Sequence, residues 1–360
     1  MRSDFLKGVV MMQKGQGRGR GALYAVRLTA MAIAAAVILG SWGGGVMAAS
    51  PSRMLVPVGR AVGIKLFSDG VLVVGFSEIS TDHGKAAPAK ACGLREGDII
   101  THINSEEVDT IEQVQSVLKQ LENDKLSIRC LRGEKQVDLA VQAVWCADDG
   151  SYKLGAWIRD SMAGIGTMTF YDPETGTFGA LGHGINDVDT AMLMPLQSGG
   201  IMKAAVTDVK KGAKGAPGEL HGSFDSSGDV GTLWANTGAG VFGTLSDKDF
   251  VCGQPMQAAA PSQVKIGPAT ILCAISGDTV EEFAVEITKV CPADDGDLRD
   301  MTLKITDAAL LERTGGIVQG MSGSPIIQNG KIVGAVTHVL VNDPTRGYGI
   351  FIENMLDAAG

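Results

Sequence analysis

A run of small residues near the C-terminus could carry a nucleophile. It reads Gly320-Met321-Ser322-Gly323-Ser324-Pro325. A nucleophilic serine needs an exposed Oγ, a base within hydrogen-bond reach and two backbone N–H groups aimed at the developing oxyanion. Gly320 has no Cβ, so the backbone is free to point its own N–H and that of Ser322 into one oxyanion hole. The spacing therefore predicts Ser322 as the nucleophile and Ser324 as a turn residue.

A histidine between two glycines is the candidate base. His183 stands in Gly182-His183-Gly184, shortly after a hairpin pattern at residues 172–176. Flanking glycines leave little steric cover over the imidazole, as a working general base requires. An acyl-transfer site of this kind also needs a shielded group that holds the imidazole in the correct tautomer.

The composition indicates the elements that must position these side chains. The chain has 360 residues, of which 45% are apolar and 49 are glycine. This length favours two domains plus an appendage, and the glycine content is typical of a turn-rich β protein. From about residue 150 onward the strand patterns are short and separated by hairpin signals, which indicates a β-barrel or sandwich.

Charge and cysteine spacing exclude several classes of partner. The chain carries 31 Lys and Arg against 40 Asp and Glu, a formal net charge of −9. Nucleic acid is not expected to bind, because phosphate recognition needs a basic surface. Six cysteines form no Cys-x-x-Cys pair and no ligand-like spacing with the five histidines. We therefore expect no metal site and no cofactor.

The first fifty residues have the pattern of a membrane-targeting segment. Six basic residues precede residue 28, and the stretch from there to residue 50 is uncharged and ends in small residues. This fits a cleaved export signal, and it is also long enough for an uncleaved anchor, since about 20 residues span a bilayer. For residues 1–50 we expect a cytoplasmic basic flank, with the rest of the chain exported across the cytoplasmic membrane.

Residues 54–145 have the pattern of a peptide-binding module. They read as strand, strand, turn, strand, helix, strand and strand, and Thr110 and Gln113 form a capping box before the helix. This segment resembles a PDZ domain. The resemblance implies that one loop offers backbone N–H groups to a peptide carboxylate and that the next strand pairs with the peptide. The matching residues in this sequence are Gly63, Ile64, Lys65 and Leu66.

The serine motif and the hairpin after it resemble the nucleophile region of chymotrypsin-like serine proteases. The resemblance implies a double β-barrel over residues 150–360 and an oxyanion hole formed by the N–H groups of Gly320 and Ser322. It also implies that the strand after the nucleophile lines the substrate cleft, through Thr337, His338 and Val339. Trypsin-like enzymes have an acidic residue six positions before the nucleophile. Gly316 stands there, so no preference for Arg or Lys is expected.

Longer motifs resemble the SpoIVB peptidase family along nearly the whole chain. They include the segments 164–173 and 314–325 and the sequence Ala180-Leu181-Gly182-His183-Gly184. In that family the matching histidine and serine are the base and the nucleophile, which selects His183 and Ser322. The third member of the family's triad matches Asp307. Two other candidates, which lie closer to His183 in the chain, are Asp187 and Asp189.

The family resemblance also implies a biological role. It implies an exported serine endopeptidase that cleaves itself and then a membrane-bound inhibitor of an intramembrane protease, which activates pro-sigma-K processing during sporulation. The implied location is the space between the forespore and mother-cell membranes, with the membrane contacted through the N-terminal segment. A competing hypothesis is a catalytically silent anchored scaffold, in which the PDZ-like domain recruits partner proteins.

Overall fold

The computed structural model describes residues 53–360, except residue 83 and the segments 147–148 and 292–297. The predicted membrane segment, residues 1–50, lies outside the described residues. Within the described part of the chain, no helix is long and apolar enough to cross a membrane. The fold is mainly β, as predicted.

Twenty-two strands and four α-helices are present in the described residues. The strands are β1 (Met54–Pro57), β2 (Ala61–Phe76), β3 (Ile79–Thr81), β4 (Gly84–Ala86), β5 (Ile99–Ile103), β6 (Glu106–Glu107), β7 (Lys125–Arg132), β8 (Lys135–Gln142), β9 (Val144–Cys146), β10 (Ser151–Lys153), β11 (Ala156–Tyr171), β12 (Thr177–Ala180), β13 (Ser198–Lys210), β14 (Glu219–Thr237), β15 (Gly240–Leu245), β16 (Met256–Gln257), β17 (Gly267–Cys273), β18 (Glu281–Val290), β19 (Met301–Ile305), β20 (Pro325–Gln328), β21 (Lys331–Leu340) and β22 (Asp343–Phe351). The helices are α1 (Pro88–Ala91), α2 (Ile111–Lys119), α3 (Ala308–Thr314) and α4 (Ile352–Ala359), with short 3-10 turns at Lys248–Phe250 and Pro261–Gln263.

Six strands, β2 and five strands that lie between residues 156 and 245, pair in a ring. The order is β2, β11, β12, β15, β14 and β13, and β13 pairs back onto β2. The first half of β2 closes the ring because β11 lies along one of its edges and β13 along the other. Fully or nearly fully buried apolar side chains from several of these strands fill the interior, among them Val62, Met168, Phe178, Ile201 and Val241.

The following part of the chain forms a closed barrel. Its strand order is β17, β18, β19, β22, β21 and β20. Alternate residues of β19 point inward, since Met301, Leu303 and Ile305 are buried while the residues between them are not. The expectation of a β-barrel is confirmed by this closed barrel.

A PDZ-like unit lies beside the first ring. The second half of β2 pairs with β5, which is followed in the sheet by β7 and β8. Helix α2 packs on this sheet through Val114 and Val117. The predicted capping box is present: the Gln113 N–H donates to Thr110 Oγ1 over 3.2 Å, and the Thr110 N–H donates to Gln113 Oε1 over 3.0 Å.

The PDZ-like unit and the first ring share two strands. The predicted domain boundaries, 54–145 and 150–360, place β2 wholly in the first domain and β11 wholly in the second. Strands β2 and β11 are each 16 residues long, and they stay paired along most of their length. As a result β1 and the first half of β2 belong to the sheet of the first ring. The first residues of β11, 156–159, pair with the second half of β2 beside the PDZ-like unit. One two-stranded ribbon therefore runs through both parts.

Candidate active site

The loop that carries Ser322 is held by a strand of the other barrel. It begins where α3 ends at Gly315, a residue in the left-handed conformation, and it is anchored by the fully buried Met321. Thr167 of β11 contacts the loop twice. Its Oγ1 donates to the Gly320 carbonyl over 2.8 Å, and its N–H donates to the Ser322 carbonyl over 3.0 Å. The first ring thus fixes the backbone on both sides of Met321.

Gly323 is required by the close approach of two backbone segments. Its φ is +96°, and a Cβ at this position would lie 2.0 Å from the Thr167 carbonyl oxygen and 2.6 Å from the Leu181 nitrogen. The next residue, Ser324, is buried and its hydroxyl donates to the Met321 carbonyl over 2.7 Å. That hydroxyl is occupied within the turn, whereas Ser322 is partly exposed to the cleft.

Two backbone N–H groups in the loop are available to an oxyanion. The Met321 N–H donates to the Val318 carbonyl over 3.1 Å, which closes a tight turn. Those of Gly320 and Ser322 donate to no acceptor in the part of the chain that the structure describes. These are the two donors that the sequence predicted for the oxyanion hole.

The hydroxyl of Ser322 has a backbone partner. Its Oγ donates to the carbonyl oxygen of Thr337, on β21, over 2.5 Å. The hydroxyl of Thr337 itself is buried without a hydrogen-bond partner. The structure therefore places the Ser322 hydroxyl against the strand expected to line the substrate cleft, and not on the imidazole of His183.

His183 follows a strained turn at the end of β12. Leu181 and Gly182 both have positive φ, +69° and +67°. A Cβ on Gly182 would come within 3.0 Å of the Thr337 side chain and 3.3 Å of Ala335, so the turn packs directly against β21. This contact brings the base candidate from the first ring to the strand whose carbonyl holds Ser322.

The protonation state of His183 follows from its partner. Its Nδ1 lies 2.8 Å from the carbonyl oxygen of Gly184. A carbonyl oxygen can only accept, so Nδ1 carries the proton and Nε2 is left as the acceptor, which is the tautomer a general base needs. Burial lowers the pKa of His183 below its ordinary value, and the hydrogen bond to Gly184 only partly opposes this. His183 is therefore neutral at pH 7.

A second histidine lies against the first. The rings of His183 and His338 have centroids 4.8 Å apart and planes tilted by 35°. Burial, followed by the neighbouring His183 and Arg299, lowers the pKa of His338 to about 4. The structure thus brings His338 to the cleft, as expected, in its neutral form.

The structure does not bring Asp307 to His183. Asp307 is the N-cap of α3, where its Oδ1 accepts the Leu310 N–H over 3.0 Å and its Oδ2 accepts that of Ala284 over 3.3 Å. Hydrogen bonds to the Leu310 N–H lower its pKa, with burial opposing and the Ala284 N–H assisting. The expected contact with the imidazole is absent among the described residues. The physical reason is that α3 lies before the nucleophile loop in the second barrel, where the carboxylate is used to start a helix.

The two other acidic candidates, Asp187 and Asp189, pair with Arg159 and not with His183. The carboxylate of Asp187 is fully buried and pairs with Arg159, and that of Asp189 lies 2.9 Å from another nitrogen of the same guanidinium. Neither forms a hydrogen bond with the imidazole in the described structure. The group that orients His183 is therefore the backbone carbonyl of Gly184.

A cleft of about 470 Å³ contains two of the three predicted catalytic side chains, and Asp307 does not line it. His183, Ser322, Gly320 and the expected substrate-binding residues Thr337, His338 and Val339 all line it. The remaining walls are mostly aliphatic, and no Asp, Glu, Lys or Arg is among the lining residues. The space next to Ser322 is therefore suited to an uncharged side chain.

The predicted peptide-binding residues of the PDZ-like domain lie elsewhere than expected. Gly63, Ile64, Lys65 and Leu66 are part of β2, which at this point is paired on both edges; Ile64 lies opposite Gly164 and Ile201. Their backbone groups belong to these ladders and cannot receive a peptide carboxylate. The sequence pattern was wrong here because the strand continues into the barrel, where Ile64 lines the catalytic cleft.

A groove with aliphatic and polar walls lies beside α2 instead. It has a volume of about 720 Å³ and is lined by Ile111, Val114 and Leu118 of the helix and by residues 154–158 around the start of β11. That part of β11 pairs with β2 along one edge and has no partner strand along the other among the described strands. A helix beside a free strand edge is the arrangement used for strand addition of a peptide. The sequence signal that could have found it is Leu154-Gly155-Ala156, whose glycine has a φ of +71°.

Comparisons with protein families match two parts of the chain. Residues 150–356 match the SpoIVB peptidase S55 family, and residues 79–132 match the PDZ domain family. No curated protein matches.

Among solved structures, the PDZ domain of the SdrC-like protein from Listeria monocytogenes is 20% identical with a TM-score of 0.20, covering 25% of this chain and 87% of that one. The active form of the Rv3671c protease from M. tuberculosis is 17% identical with a TM-score of 0.32, covering 55% of this chain and 75% of that one. The HtrA-type protease AlgW with a decapeptide is 11% identical with a TM-score of 0.33, covering 56% of this chain and 52% of that one.

The family match covers more than half of the chain, and it includes both His183 and Ser322. The chain belongs to the SpoIVB peptidase S55 family and is a serine endopeptidase that carries a PDZ domain.

Proposed function

We propose that Ser322 is the nucleophile and His183 the general base of this peptidase. The observation that carries the proposal is their convergence from two different barrels on one cleft, with His183 neutral and protonated at Nδ1. His183 Nε2 takes the proton of the Ser322 hydroxyl as Oγ attacks the scissile carbonyl. The N–H groups of Gly320 and Ser322 stabilise the oxyanion, and the imidazolium then protonates the leaving amine. Water hydrolyses the acyl-enzyme by the same steps.

Substrate binding would release the nucleophile from its resting partner. The Ser322 hydroxyl is held by the Thr337 carbonyl, which lies at the edge of β21 beyond the last pairing with β20, at Ala335. A substrate chain that adds to this free edge would present a backbone N–H to the same carbonyl. The serine hydroxyl, displaced by that N–H, becomes available to His183. This assigns substrate-binding roles to Thr337, His338 and Val339.

The PDZ domain would bind a peptide segment in the groove beside α2. The groove offers aliphatic side chains from the helix and a free edge of β11, which supports strand addition of an extended peptide with an apolar side chain. The carboxylate specificity expected for Gly63, Ile64, Lys65 and Leu66 does not carry over to this groove. The experiment that tests the groove is binding of a peptide library, with Leu118→Asp, at a partly exposed position that lines the groove, as the variant expected to abolish it.

The biological role that the family suggests is part of the same proposal. The peptidase would be anchored or exported through residues 1–50, cleave itself, and then cleave a membrane-bound regulatory protein to start pro-sigma-K processing between the forespore and mother-cell membranes. Family membership is the support for this role. In sporulating cells that lack their own copy, the parent chain should restore processing and Ser322→Ala should not.

The enzymatic test compares the full-length chain with Ser322→Ala and His183→Ala. Mass spectrometry of the expressed proteins reports self-cleavage, and a fluorophosphonate probe reports a reactive serine. The parent should yield fragments and become labelled at Ser322, and both variants should stay intact and unlabelled. Fragments and labelling that persist in both variants would refute the assignment of the two residues.

A further inference from the structure

Two consecutive residues of β11 reach to opposite sides of the strand. Asp160 contacts α2, the helix beside the peptide groove. Its Oδ2 accepts the N–H of Ile111, the first residue of that helix, over 2.9 Å. Arg159 contacts the segment of residues 184–197, here called the base loop, which directly follows His183. Strand β11 therefore connects the peptide groove to the base loop through adjacent side chains.

The contact of Arg159 with the base loop is an ion pair that includes one buried carboxylate. One guanidinium nitrogen contacts Asp187 Oδ2, and the other lies 2.9 Å from Asp189 Oδ2. The Asp187 side chain is fully buried, while that of Arg159 is 29% exposed. A buried carboxylate needs a partner of opposite charge, because its desolvation is otherwise uncompensated. Arg159 supplies that charge.

Asp187 also forms several of the hydrogen bonds that fold the base loop. Its second oxygen, Oδ1, accepts the N–H of Asp189 over 3.1 Å and both the N–H and the hydroxyl of Thr190, over 2.8 and 2.9 Å. Its own N–H donates to the Met192 carbonyl over 2.8 Å. A shift of this carboxylate would therefore move the backbone of the loop as a unit.

The base loop also supplies the hydrogen-bond partner of the His183 imidazole. The imidazole Nδ1 is held by the carbonyl of Gly184, the first residue of the loop. A second anchor, Asn236 of β14, accepts the Ile185 N–H over 2.8 Å and donates to the Met194 carbonyl over 2.9 Å. Asn236 is neutral and binds the backbone near both ends of the loop, at Ile185 and Met194. Arg159 is charged and binds two side chains in the middle of the loop. Both side chains thus contact the loop that begins with the Gly184 carbonyl.

We propose that Arg159 is a positioning residue of the peptidase: through Asp187 it fixes the loop that orients the imidazole of His183, and through Asp160 on the same strand it ties that loop to the peptide groove. This inference rests on the proposed role of His183 as the base. Arg159 does not touch the substrate cleft, since it is not among the residues that line it.

The test measures the chemical step separately from binding. A fluorophosphonate is a small reagent that needs the base for reaction at serine and makes little use of the extended substrate site. In the full-length chain, Arg159→Gln should reduce the maximal rate of inactivation, kinact, at least tenfold and leave the half-saturating concentration, KI, within about twofold. Hydrolysis of a quenched-fluorescent peptide with leucine before the scissile bond should show the same loss in kcat with little change in KM.

A conservative variant and a matched control accompany it. Arg159→Lys keeps a cation for Asp187 but cannot contact two carboxylates as a planar fork, so we expect it to recover part of the loss. Arg129→Gln removes another arginine–aspartate pair, that of Arg129 with Asp138 on β7 and β8, where both side chains are largely exposed. It should leave kinact and kcat unchanged.

The outcomes separate this inference from the proposal on which it rests. If His183→Ala is inactive and Arg159→Gln has the parent's kinact and kcat, the positioning role is wrong. If Arg159→Gln fails to fold, Arg159→Lys decides: a folded Lys variant with the parent's kinact overturns the inference, and a reduced kinact at unchanged KI supports it. Activity that survives in His183→Ala would overturn the proposed function, and the positioning role with it.

Discussion

The Nδ1 atom of His183 lies 2.8 Å from the carbonyl oxygen of Gly184, where a Ser-His-Asp triad has a carboxylate. The carbonyl selects the same tautomer, because it accepts the Nδ1 proton and leaves Nε2 free. It carries no full charge, however, so it stabilises the imidazolium less than a carboxylate would. Burial is then the dominant influence, and it lowers the pKa of His183.

This relationship predicts the pH dependence of the enzyme. The base must be neutral to act, so kcat/KM should rise with pH through the pKa of His183 in the free enzyme. Because that pKa is lowered, the midpoint of the acid limb should fall below about 6.5, the ordinary value for histidine. The measurement is kcat/KM for a peptide substrate between pH 4 and pH 9.

His338 provides the control for that assignment. Its pKa, lowered to about 4, could place a second ionisation on the acid side. The limb should persist in His338→Gln if it belongs to His183, whatever the overall rate of the variant. A midpoint of the acid limb at or above pH 7 in the parent enzyme would contradict a lowered pKa of His183.

A methyl group at residue 323 should abolish activity. Gly323→Ala would place a Cβ 2.0 Å from the Thr167 carbonyl oxygen at a φ of +96°. The left-handed conformation alone costs about 1 to 3 kcal/mol for a non-glycine residue, and the overlap must also push the nucleophile loop away from β11. We expect loss of fluorophosphonate labelling and a lower midpoint of unfolding in urea.

Gly330→Ala is the matched control. Gly330 also has a positive φ, +71°, but nothing lies within 4 Å of where its Cβ would be. It should lose only the conformational part of the stability, about 1 to 3 kcal/mol, and keep labelling at Ser322. Equal labelling of both variants would show that the contact between Thr167 and the loop is not needed for a reactive serine.

Asp307 should act as a helix cap and not as the triad acid. Its carboxylate accepts the Leu310 N–H at the start of α3, and asparagine caps a helix about as well as aspartate. Asp307→Asn should therefore keep both stability and kcat, and Asp307→Ala should lose about 1 kcal/mol of stability. Urea denaturation and peptide hydrolysis measure the two quantities. A fall in kcat of about 10⁴ in the Asn variant, as for loss of a triad aspartate, would restore Asp307 to the active site.

Local signals in the sequence, together with the family resemblance, selected the proposed base and nucleophile. The glycines around His183 and Ser322 serve turns and close approaches that the structure contains, at Gly182 and Gly323. A requirement of this kind is imposed on the residue by its own backbone, so it is visible in a short stretch of sequence.

The partners of those side chains were not visible in the same way. Thr167, which holds the nucleophile loop, lies 153 residues before the Gly320 carbonyl that it contacts, and Arg159 reaches a carboxylate 28 residues later. The peptide-binding residues were misplaced because the pattern assigned them to the PDZ-like domain, although β2 is one continuous strand shared by two units. Pairing between distant segments depends on the whole topology, which alternation within a strand does not specify.

The chemistry of the cleft predicts a preference for an uncharged, apolar side chain before the scissile bond. Ile317 and Val318, both nearly fully buried, line the cleft next to Gly320, and Val339 lies on the facing strand. An acidic residue at position 316 could not confer a trypsin-like preference in this backbone. Gly316 has a φ of +141°, and a Cβ there would lie 2.1 Å from the Pro344 carbonyl oxygen.

A peptide library analysed by mass spectrometry after digestion measures this preference directly. Cleavage should concentrate after aliphatic residues, and Arg or Lys before the scissile bond should reduce kcat/KM, because a buried cation would find no acidic partner among the residues that line the cleft. Val339→Asp supplies such a partner, and it should raise the kcat/KM for Arg and Lys relative to that for Leu. Equal cleavage after basic and aliphatic residues in the parent would show that this part of the cleft does not hold the side chain before the scissile bond.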